Sequence, residues 1–310
     1  METILITGGT GLIGRHLSVM LANMGYRVII LSRNHQVQPI HPQISFGYWN
    51  PNLHEIDAVA VRKADHIIHL AGAGVMDKRW NDSYKKQILQ SRVNSGKLLI
   101  EVLSSDKGNV KTIVSSSAIG WYGRDEKTAY GFTETDAVTA DFLGQTCQSW
   151  ENSISTAKDL GIRLCIVRTG IVLSNKGGAL KEFIKPLQFG IAGILGSGRQ
   201  IISWIHIDDL CGMFIHLIQN KELSGIYNGV APLPVSNQEM VKTVARIRNG
   251  KLFLPLHIPA FMLKLLIGEG SVEILKSTRV SADKILSTGF RFLYPEIGIA
   301  IENLIQRKRS

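Results

Sequence analysis

The segment Thr3-Ile-Leu-Ile-Thr-Gly-Gly-Thr-Gly-Leu-Ile-Gly14 decides the fold. Its first five residues are apolar or β-branched and predict a strand that ends in glycines. From residue 12 to residue 24 the apolar side chains recur with the period of a helix, which Gly25 ends. Residues 27–31 predict a second strand. Strand, glycine turn, helix and strand form a βαβ unit, which predicts a parallel sheet.

The same alternation continues along the chain. The sequence predicts further strands at 65–70, 111–115, 163–168 and 225–230, and helices at about 80–104 and 142–160. Repeated strands and helices with short links predict an α/β fold with a doubly wound Rossmann parallel sheet and helices on both faces.

The pattern changes after Gly170. Glycines interrupt the chain up to residue 200, which predicts loop around one short helix; a turn and an apolar helix follow at 204–219, and the pattern is mostly helical from Val235 onward. We therefore predict a Rossmann domain of residues 1–171 plus 206–230, and a smaller, mainly helical C-terminal substrate lobe of residues 172–205 plus 231–310.

Composition and charge narrow the class of protein. The 310 residues are 45% hydrophobic and 19% charged, which is typical of a folded chain. The net charge is +10, but the Lys and Arg are scattered, and the densest run, Arg307-Lys308-Arg309, is interpreted as a solvated end. Because no helix-turn-helix, zinc-finger or RNA-binding motif accompanies the charge, we expect no nucleic-acid partner.

The cysteines and the apolar stretches indicate where the protein works. Cys147, Cys165 and Cys211 lie too far apart for a metal motif and are too few for a disulfide scaffold, which favours a reducing compartment. The first residues already predict a strand instead of a targeting segment, and no apolar stretch is long enough to cross a bilayer. We expect a cytoplasmic monomer or homodimer with no membrane partner and no metal.

The glycine turn predicts a dinucleotide site. The turn satisfies G-x-G-x-x-G from Gly9 and the wider form from Gly8. The first glycine permits a tight turn, the middle one lets the main chain approach a diphosphate, and the last lets helix and strand pack closely. The diphosphate would bind the free amides at the positive end of the helix. The expected contacts are Gly8, Thr10, Gly11, Leu12, Ile13 and Gly14.

The end of the second predicted strand indicates which dinucleotide binds. An NAD site places an acidic residue there, for the ribose 2′-hydroxyl, whereas this chain has Ser32-Arg33-Asn34. Arginine grips a phosphate with two parallel hydrogen bonds, and Ser32 adds a neutral donor. The sequence therefore predicts NADP(H). Later strands end on the same edge, where we expect Leu70, Ala71, Gly72 and Ser115 beside the cofactor.

Taken together, these stretches resemble an established family. The chain is similar to the extended short-chain dehydrogenase/reductase superfamily, and more narrowly to its epimerase-like branch with a C-terminal domain of unknown function, DUF1731, here at about 255–304. The matching stretches are Ile6–Gly14, Leu70–Ala73, Ser91–Val93, Ser115–Gly123, Arg168–Leu173, Trp204–Leu210, Tyr227–Pro232 and Pro259–Leu304. The resemblance implies an NADP(H)-binding Rossmann domain with Ser32, Arg33, Leu70, Ala71, Arg92 and Val172 near the cofactor.

One part of the superfamily's catalytic machinery is missing. Its members carry Tyr and Lys four residues apart on one helix face, where the ammonium lowers the phenol pKa. None of the seven tyrosines here has Lys four positions later. Aligned on Glu151, the matching positions hold Leu143 and Cys147, and neither side chain replaces a Tyr–Lys pair in proton transfer.

Candidate replacements come from the neighbouring strand and loops. Ser117 matches the superfamily's serine, and Tyr122 is the candidate acid, with aromatic packing under a loop as its equal alternative. His206 and Asp208 are suited to acid–base work, but we favour a role in fixing the turn after Trp204. The basic residues Arg199 and Lys176 on glycine-rich loops are interpreted as solvated charges rather than as contacts to an anionic substrate.

Two functions fit these observations. The first is an NADP(H)-dependent oxidoreductase or epimerase-like enzyme acting on a small polar substrate of an anionic or nucleotide-linked kind. The second is a non-catalytic NADP(H)-binding sensor or scaffold. The missing Tyr–Lys pair favours the second, whereas the second lobe and the serine strand favour the first.

Overall fold

The computed structural model describes residues 1–34, 39–125 and 131–306, without the side chain of Leu266. The run Arg307-Lys308-Arg309, interpreted above as a solvated end, lies outside the described residues.

The first half of the chain alternates strands with helices. Its elements are β1 (Thr3–Thr7), α1 (Leu12–Asn23), β2 (Arg27–Ser32), β3 (Ile44–Asn50), β4 (Glu55–Ile56), α2 (Ala58–Lys63), β5 (His66–His69), α3 (Asp82–Ser105), β6 (Thr112–Ala118), α4 (Phe142–Ser155) and β7 (Arg163–Thr169), with 3₁₀ turns at Ile119–Trp121 and Thr156–Lys158.

The second half contains shorter strands among the helices. Its elements are β8 (Ile171–Ser174), β9 (Gly177–Gly178), α5 (Ala179–Ile184), β10 (Ile191–Leu195), β11 (Ile201–Ile202), β12 (Trp204–His206), α6 (Ile207–Gln219), β13 (Gly225–Gly229), β14 (Val235–Ser236), α7 (Asn237–Asn249), β15 (Leu254–Ile258), α8 (Ala260–Ile267), α9 (Ser271–Ile274), α10 (Asp283–Ser287) and α11 (Ile297–Gln306), with a 3₁₀ turn at Pro186–Phe189.

One eight-stranded sheet forms the centre of the molecule. Its order is β13-β7-β6-β5-β1-β2-β3-β4, and every neighbouring pair is parallel except β3 with the edge strand β4. The predicted doubly wound Rossmann sheet is confirmed. The strand order reverses between β1 and β5, and in such sheets ligands bind outside the carboxyl ends of the strands at this point.

The sheet is buried on both faces. Along β1, Ile4 and Ile6 pack into the core cluster that contains Leu17 of α1 and Phe214 of α6. Leu5, between them, packs into the opposite cluster with residues of α3. Side chains alternate between the faces of a strand, so a strand covered by helices on both sides must be apolar throughout. This explains the continuous apolar run that begins the chain.

The expectation of loop around one short helix between residues 170 and 200 was wrong. Besides α5, this segment contains β8, β9 and β10, and β8 joins β9 and β12 in a separate three-stranded sheet. Gly170, the first glycine of this segment, allows the main chains to pack closely, because a Cβ at this position would lie 2.6 Å from the carbonyl oxygen of Ser203. The turn expected before α6 also includes a strand, β12, which pairs in parallel with β8.

A third core cluster joins the segments on either side of α6. Leu173 of β8 and Trp204 of β12 pack with Met240 of α7 and Ala300 and Leu304 of α11. The C-terminal part is mostly helical, although it also contains β14 and β15. The division into two lobes at the predicted boundaries stays a prediction.

Candidate functional site

The glycine turn brings three elements together. Gly8 has a φ of +69°, and a Cβ there would lie 2.8 Å from the carbonyl carbon and oxygen of Leu70, at the end of β5. A Cβ on Gly9 would lie 2.6 Å from Ile30 of β2, and one on Gly14 would overlap the main chain of Gly8. These three glycines therefore allow a turn that touches both neighbouring strands.

The N-terminus of α1 is left open by this turn. Gly11 is its N-cap; among the described residues no side chain caps its amides, and its first turn holds no Asp or Glu. The first amides of a helix lack partners within the helix and carry its positive dipole end. A site of this kind suits an anion, and a diphosphate in particular.

A cleft of about 1050 Å³ opens at this turn. Most of the predicted cofactor residues line it: Gly8, Thr10, Gly11, Leu12, Ile13, Gly14, Ser32, Arg33, Leu70, Ala71, Gly72 and Val172. Ser115 and Arg92 are buried and do not belong to the lining. The structure adds walls that sequence reasoning missed, among them Trp49, Pro51 and Asn52 after β3, Gly178 and Ala179 at the start of α5, and Ser83, Lys86, Gln87 and Gln90 on α3.

The charges of the lining are unevenly divided. The cations are Arg33 and Lys86, and Asp77 is the single acidic residue among the described residues that line the cleft. The side chain of Asp77 packs against Gly74. Ser32 is buried, and its hydroxyl accepts a hydrogen bond from the amide of Asn34 at 3.1 Å. The end of β2 therefore offers Arg33 without a carboxylate in the lining beside it.

A buried histidine fixes the wall formed by Leu70 and Ala71. The hydroxyl oxygen of Thr7 lies 2.8 Å from Nδ1 of His69 and accepts from the amides of Leu70 and Ala71 at 3.2 and 3.3 Å. On the other side of the ring, Ser95 Oγ lies 3.4 Å from Nε2. Burial lowers the pKa of His69 to about 4, so the ring is neutral at neutral pH.

Ser117 and Tyr122 meet in a buried network rather than in the cleft. Ser117 Oγ donates to Glu151 Oε1 at 2.7 Å, and Arg168 donates to both oxygens of that carboxylate at 2.8 and 3.0 Å. Arg168 also donates to the Tyr122 hydroxyl at 3.1 Å, which in turn donates to Asn228 Oδ1 at 2.7 Å. Neither Ser117 nor Tyr122 lines the cleft.

The surroundings of Tyr122 are those of a packed aromatic side chain. The ring is fully buried and stacks on Phe132, with 5.1 Å between ring centroids. Burial raises the pKa of Tyr122 to about 12, so the phenol keeps its proton at neutral pH. Of the two interpretations given for this residue, these contacts favour packing under the loop.

The positions aligned with the missing Tyr–Lys pair lie on α4. A Cβ on Gly120 would lie 3.1 Å from Leu143 Cβ and 3.6 Å from Cys147 Sγ, so both side chains face the turn that follows β6. The Cys147 thiol lies 3.5 Å from the carbonyl oxygen of Ala118, and burial raises its pKa to about 11. A thiol in that state is neither an acid nor a base at neutral pH.

Arg92 lies directly behind the wall of the cleft. A Cβ on Gly72 would lie 3.1 Å from the central guanidinium carbon of Arg92. The guanidinium stands over the ring of Trp150, 4.9 Å from the centroid, and donates to the carbonyl oxygen of Ile88 at 2.9 Å. Burial lowers its pKa, and among the described residues no carboxylate pairs with it.

The remaining candidates lie outside the cleft lining. His206 caps α6, accepting from the amide of Asp208 at 3.0 Å, and stacks on Tyr294. Asp208 also bonds His16, with 2.6 Å between Oδ1 and Nε2. These contacts favour the structural role. Lys176 lines a separate cavity of about 600 Å³ beside α5, and Arg199 lines neither.

Comparisons with known proteins identify the family. Residues 4–228 match the model of the NAD dependent epimerase/dehydratase family, and residues 258–304 match DUF1731, a domain of unknown function. The chain belongs to this epimerase/dehydratase family. Epimerase family protein YfhF of Bacillus subtilis is 36% identical over 99% of both chains, and SSP1921 of Staphylococcus saprophyticus is 36% identical over 98% of this chain and all of its own.

Solved structures of the family share the fold. Human epimerase family protein SDR39U1 (isoform 2), solved with NADPH, superposes with a TM-score of 0.85 and 27% identity over 98% of this chain and 99% of its own. A nucleoside-diphosphate sugar epimerase from Corynebacterium glutamicum has a TM-score of 0.76 and 33% identity over 98% of this chain and 58% of its own.

Among the described residues, no helix is both long and apolar enough to traverse a bilayer, and no group of acidic, His or Cys side chains is arranged to hold a metal ion.

The pKa of His69 predicts how stability depends on pH. Its pKa is about 4 in the folded chain and 6.5 in the unfolded one, so the unfolded state binds the proton first. The contribution of neutral His69 is therefore complete above about pH 6.5 and declines as the pH falls toward 4, by about 3 kcal/mol. Asp209, whose pKa burial raises to about 6, acts in the opposite sense over much of this window, so total stability hides both effects.

A difference measurement isolates the histidine. We expect the gap in unfolding free energy between wild type and His69→Asn to be largest near pH 7 and to shrink toward pH 4, as measured by urea denaturation at several pH values. The exposed His54→Asn serves as the control and should show no such trend. A constant gap for His69→Asn would contradict the assignment of a buried neutral ring.

Proposed function

We propose that the chain is an NADP(H)-dependent oxidoreductase of the epimerase-like class, acting on a small polar substrate that is anionic or nucleotide-linked. One observation carries the proposal: the uncapped N-terminus of α1 and Arg33 line the same cleft. Among the described lining residues, no carboxylate lies at the Arg33 end of that cleft. The NADPH in the human relative's structure supports the same cofactor.

The residues present fit such a cofactor. The first amides of α1 would hold the diphosphate, and the glycines at 8 and 14 allow the close main-chain packing that forms the turn before these amides. Ser32 and Arg33 would hold the 2′-phosphate, and Leu70, Ala71, Gly72 and Val172 would line the rest of the cofactor's path. When bound, the dinucleotide supplies hydride transfer, and the protein supplies position and charge.

The wall formed by α3 supports a polar substrate. Ser83, Lys86, Gln87 and Gln90 recur three and four residues apart, so they form one stripe along the helix, and all four line the cleft. The stripe offers hydroxyl and amide groups with one ammonium. A small molecule with several hydrogen-bonding groups and a negative charge would match it.

Ser117 and Tyr122, the predicted catalytic residues, have a positioning role in this proposal. Both hydroxyl hydrogens are donated within the buried network, to Glu151 and to Asn228. Proton exchange with a substrate would require these buried bonds to break. The network instead holds the end of β6 against α4 and β7.

Arg92 is the cation that we propose in place of the missing lysine. A buried charge without a carboxylate is costly unless an anion compensates it. A Cβ on Gly72, which lines the cleft, would lie 3.1 Å from the guanidinium carbon, so the diphosphate that both cofactors share is the compensating anion that we propose. Arg92 would then stabilise negative charge at the inner end of the cleft.

A non-catalytic NADP(H)-binding sensor or scaffold is the second candidate. Leu143 and the protonated Cys147 thiol at the Tyr–Lys positions favour it, as does the engagement of both candidate hydroxyls. Incubating the protein with NADPH or NADP⁺ and a panel of carbonyl compounds and nucleotide sugars, and following both absorbance at the nicotinamide band and substrate conversion by chromatography, separates the two, because an epimerase returns the hydride and leaves the absorbance unchanged. Turnover of any member by either readout supports the enzyme; tight binding without turnover across the panel supports the sensor.

Charge reversal at the end of β2 tests the cofactor. Arg33→Glu should weaken NADPH binding by roughly tenfold or more and leave NADH affinity within a few-fold, because only NADPH carries the 2′-phosphate. Fluorescence titration measures both. Arg27→Glu, the same change at the exposed opposite end of β2, is the control and should leave the NADPH/NADH ratio unchanged. Equal affinities of the wild type for the two cofactors would contradict the assignment.

Removal of the buried cation tests Arg92. Arg92→Met should weaken NADPH and NADH binding by the same factor, roughly tenfold to a hundredfold, because the affected contact lies on the part that the two cofactors share. Arg92→Lys should restore part of the loss. Circular dichroism verifies the fold of each variant. Unchanged affinity for both cofactors in folded Arg92→Met would refute this role.

A further inference from the structure

Seven large apolar side chains are exposed at the surface of connected segments in the C-terminal half of the chain. We call this surface the apolar patch; its members are Phe189, Leu252, Leu254, Leu256, Phe261, Met262 and Leu265. Phe189 and Leu252 are 81% and 82% exposed. Isolated exposed apolar residues are common, but a group of this size on neighbouring elements marks an interaction site.

Main-chain contacts join the members of the patch around β15, and the chain itself connects them to α8. The amide of Leu254 donates to the carbonyl oxygen of Gly190, next to Phe189, and β15 pairs along its length with β10. The side chain of Asn249 donates to the carbonyl oxygens of both Leu187 and Leu252. Pro259 links β15 directly to α8, whose residues 261, 262 and 265 complete the patch.

Strand β15 is unusual because both of its faces are open. Four of its five residues are exposed, among them Leu254 and Leu256. Within the described chain its only strand partner is β10. Since Leu254 bonds toward β10, the main chain of Pro255 faces the other edge, where proline offers no amide. This blunts the edge against strand addition, so an occupant would contact the side chains instead.

The two segments of the chain that contain the patch, residues 174–199 and 237–268, also hold most of the protein's net charge. Residues 174–199 and 237–268 contain nine Lys and Arg and two Glu, a net charge of +7, whereas the whole chain carries +10. The basic residues are scattered in the sequence, but α5, β10, α7 and β15 pack against one another and gather them. Lys251 and Lys264 are exposed and are sequence neighbours of the patch members Leu252 and Leu265.

The combination of exposed apolar side chains and positive charge indicates which kind of partner binds the patch. A second copy of the chain would bring two strongly positive surfaces together. Nucleic acid would suit the charge but not the aliphatic side chains. An anionic bilayer offers negative headgroups to the lysines and an acyl boundary to Leu and Phe, the pairing that interfacial elements use.

We propose that the apolar patch docks the protein on the surface of an anionic membrane, with Phe261 and Leu265 of α8 inserted at the headgroup boundary and Lys251 and Lys264 on the headgroups. Helix α8 has eight residues, so it lies on the bilayer and does not span it. This inference is independent of the proposed function. It differs from the sequence-based expectation of no membrane partner, and the experiment below decides between the two.

Vesicle flotation tests the docking. We expect the purified chain to float with vesicles of phosphatidylcholine and phosphatidylglycerol in equal parts, to stay unbound with pure phosphatidylcholine, and to be released by high salt. Lys251→Glu/Lys264→Glu should weaken binding by about thirtyfold or more. Phe261→Ser/Leu265→Ser should weaken it by a similar factor, since two large apolar side chains are lost.

Matched controls separate the patch from general charge and hydrophobicity. Arg27→Glu/Lys97→Glu changes the net charge equally, and Met24→Ser/Val59→Ser removes two exposed apolar side chains elsewhere; both should bind vesicles as the wild type does. NADPH titration of every variant keeps the two proposals apart, because a folded patch variant should retain its cofactor affinity.

Several outcomes would overturn the proposal. They are absence of binding to anionic vesicles, equal binding to neutral ones, binding that the patch variants leave unchanged, and a dimer in analytical ultracentrifugation that both patch variants dissociate. The last outcome would assign the patch to a second copy of the chain.

Discussion

The close approach of the glycine turn to β5 is the constraint on which the cofactor cleft depends. Gly8 adopts a φ of +69° with its α-carbon against the main chain of Leu70, so the turn between β1 and α1 can rest on the next strand of the sheet. The amides of α1 then point into the crevice where the strand order reverses. The hydroxyl of Thr7 accepts from the amides of the facing wall and is itself bonded to His69, whose ring is kept neutral by burial. A side chain at position 8 would separate these two walls.

Much of this could be predicted from the sequence because its causes are local. The turn glycines, the first strand and helix, and Arg33 at the end of β2 lie within 31 residues and are read from spacing alone. The network around Ser117 could not be predicted in this way. Its partner Glu151 is 34 residues away, and Asn228, which accepts from Tyr122, is 106 residues from that tyrosine. Nothing in a serine's own neighbourhood indicates which carboxylate its hydroxyl will meet.

The error at residues 170–200 has a different physical cause. Pattern reasoning interprets glycine as a sign of loop, whereas Gly170 allows β8 to run close to Ser203 and Gly178 allows a hairpin to turn into α5. The short strands of this region have little periodicity of their own, and β9 and β11 contain two residues each. Apart from β9, which forms a local hairpin with β8, they pair with distant strands, and the region packs in a core with α7 and α11; pattern reasoning over short windows does not detect these contacts.

Two buried arginines show how the same residue type acquires different roles. Arg168 is neutralised by a bidentate bond to Glu151 and stacks on Trp121, so its charge is compensated by the protein. Arg92 has an indole face and one carbonyl oxygen, neither of which carries a full negative charge. Removing a cation from water costs several kcal/mol, and a carbonyl dipole returns only part of it. The fold can accept that cost at Arg92 if an anion completes the site, and the thin wall at Gly72 places the guanidinium where a bound phosphate could do so. Our proposal therefore explains two features together: α4 has Cys147 where the superfamily has its lysine, and Arg92 of α3, which no carboxylate neutralises, supplies the cation instead.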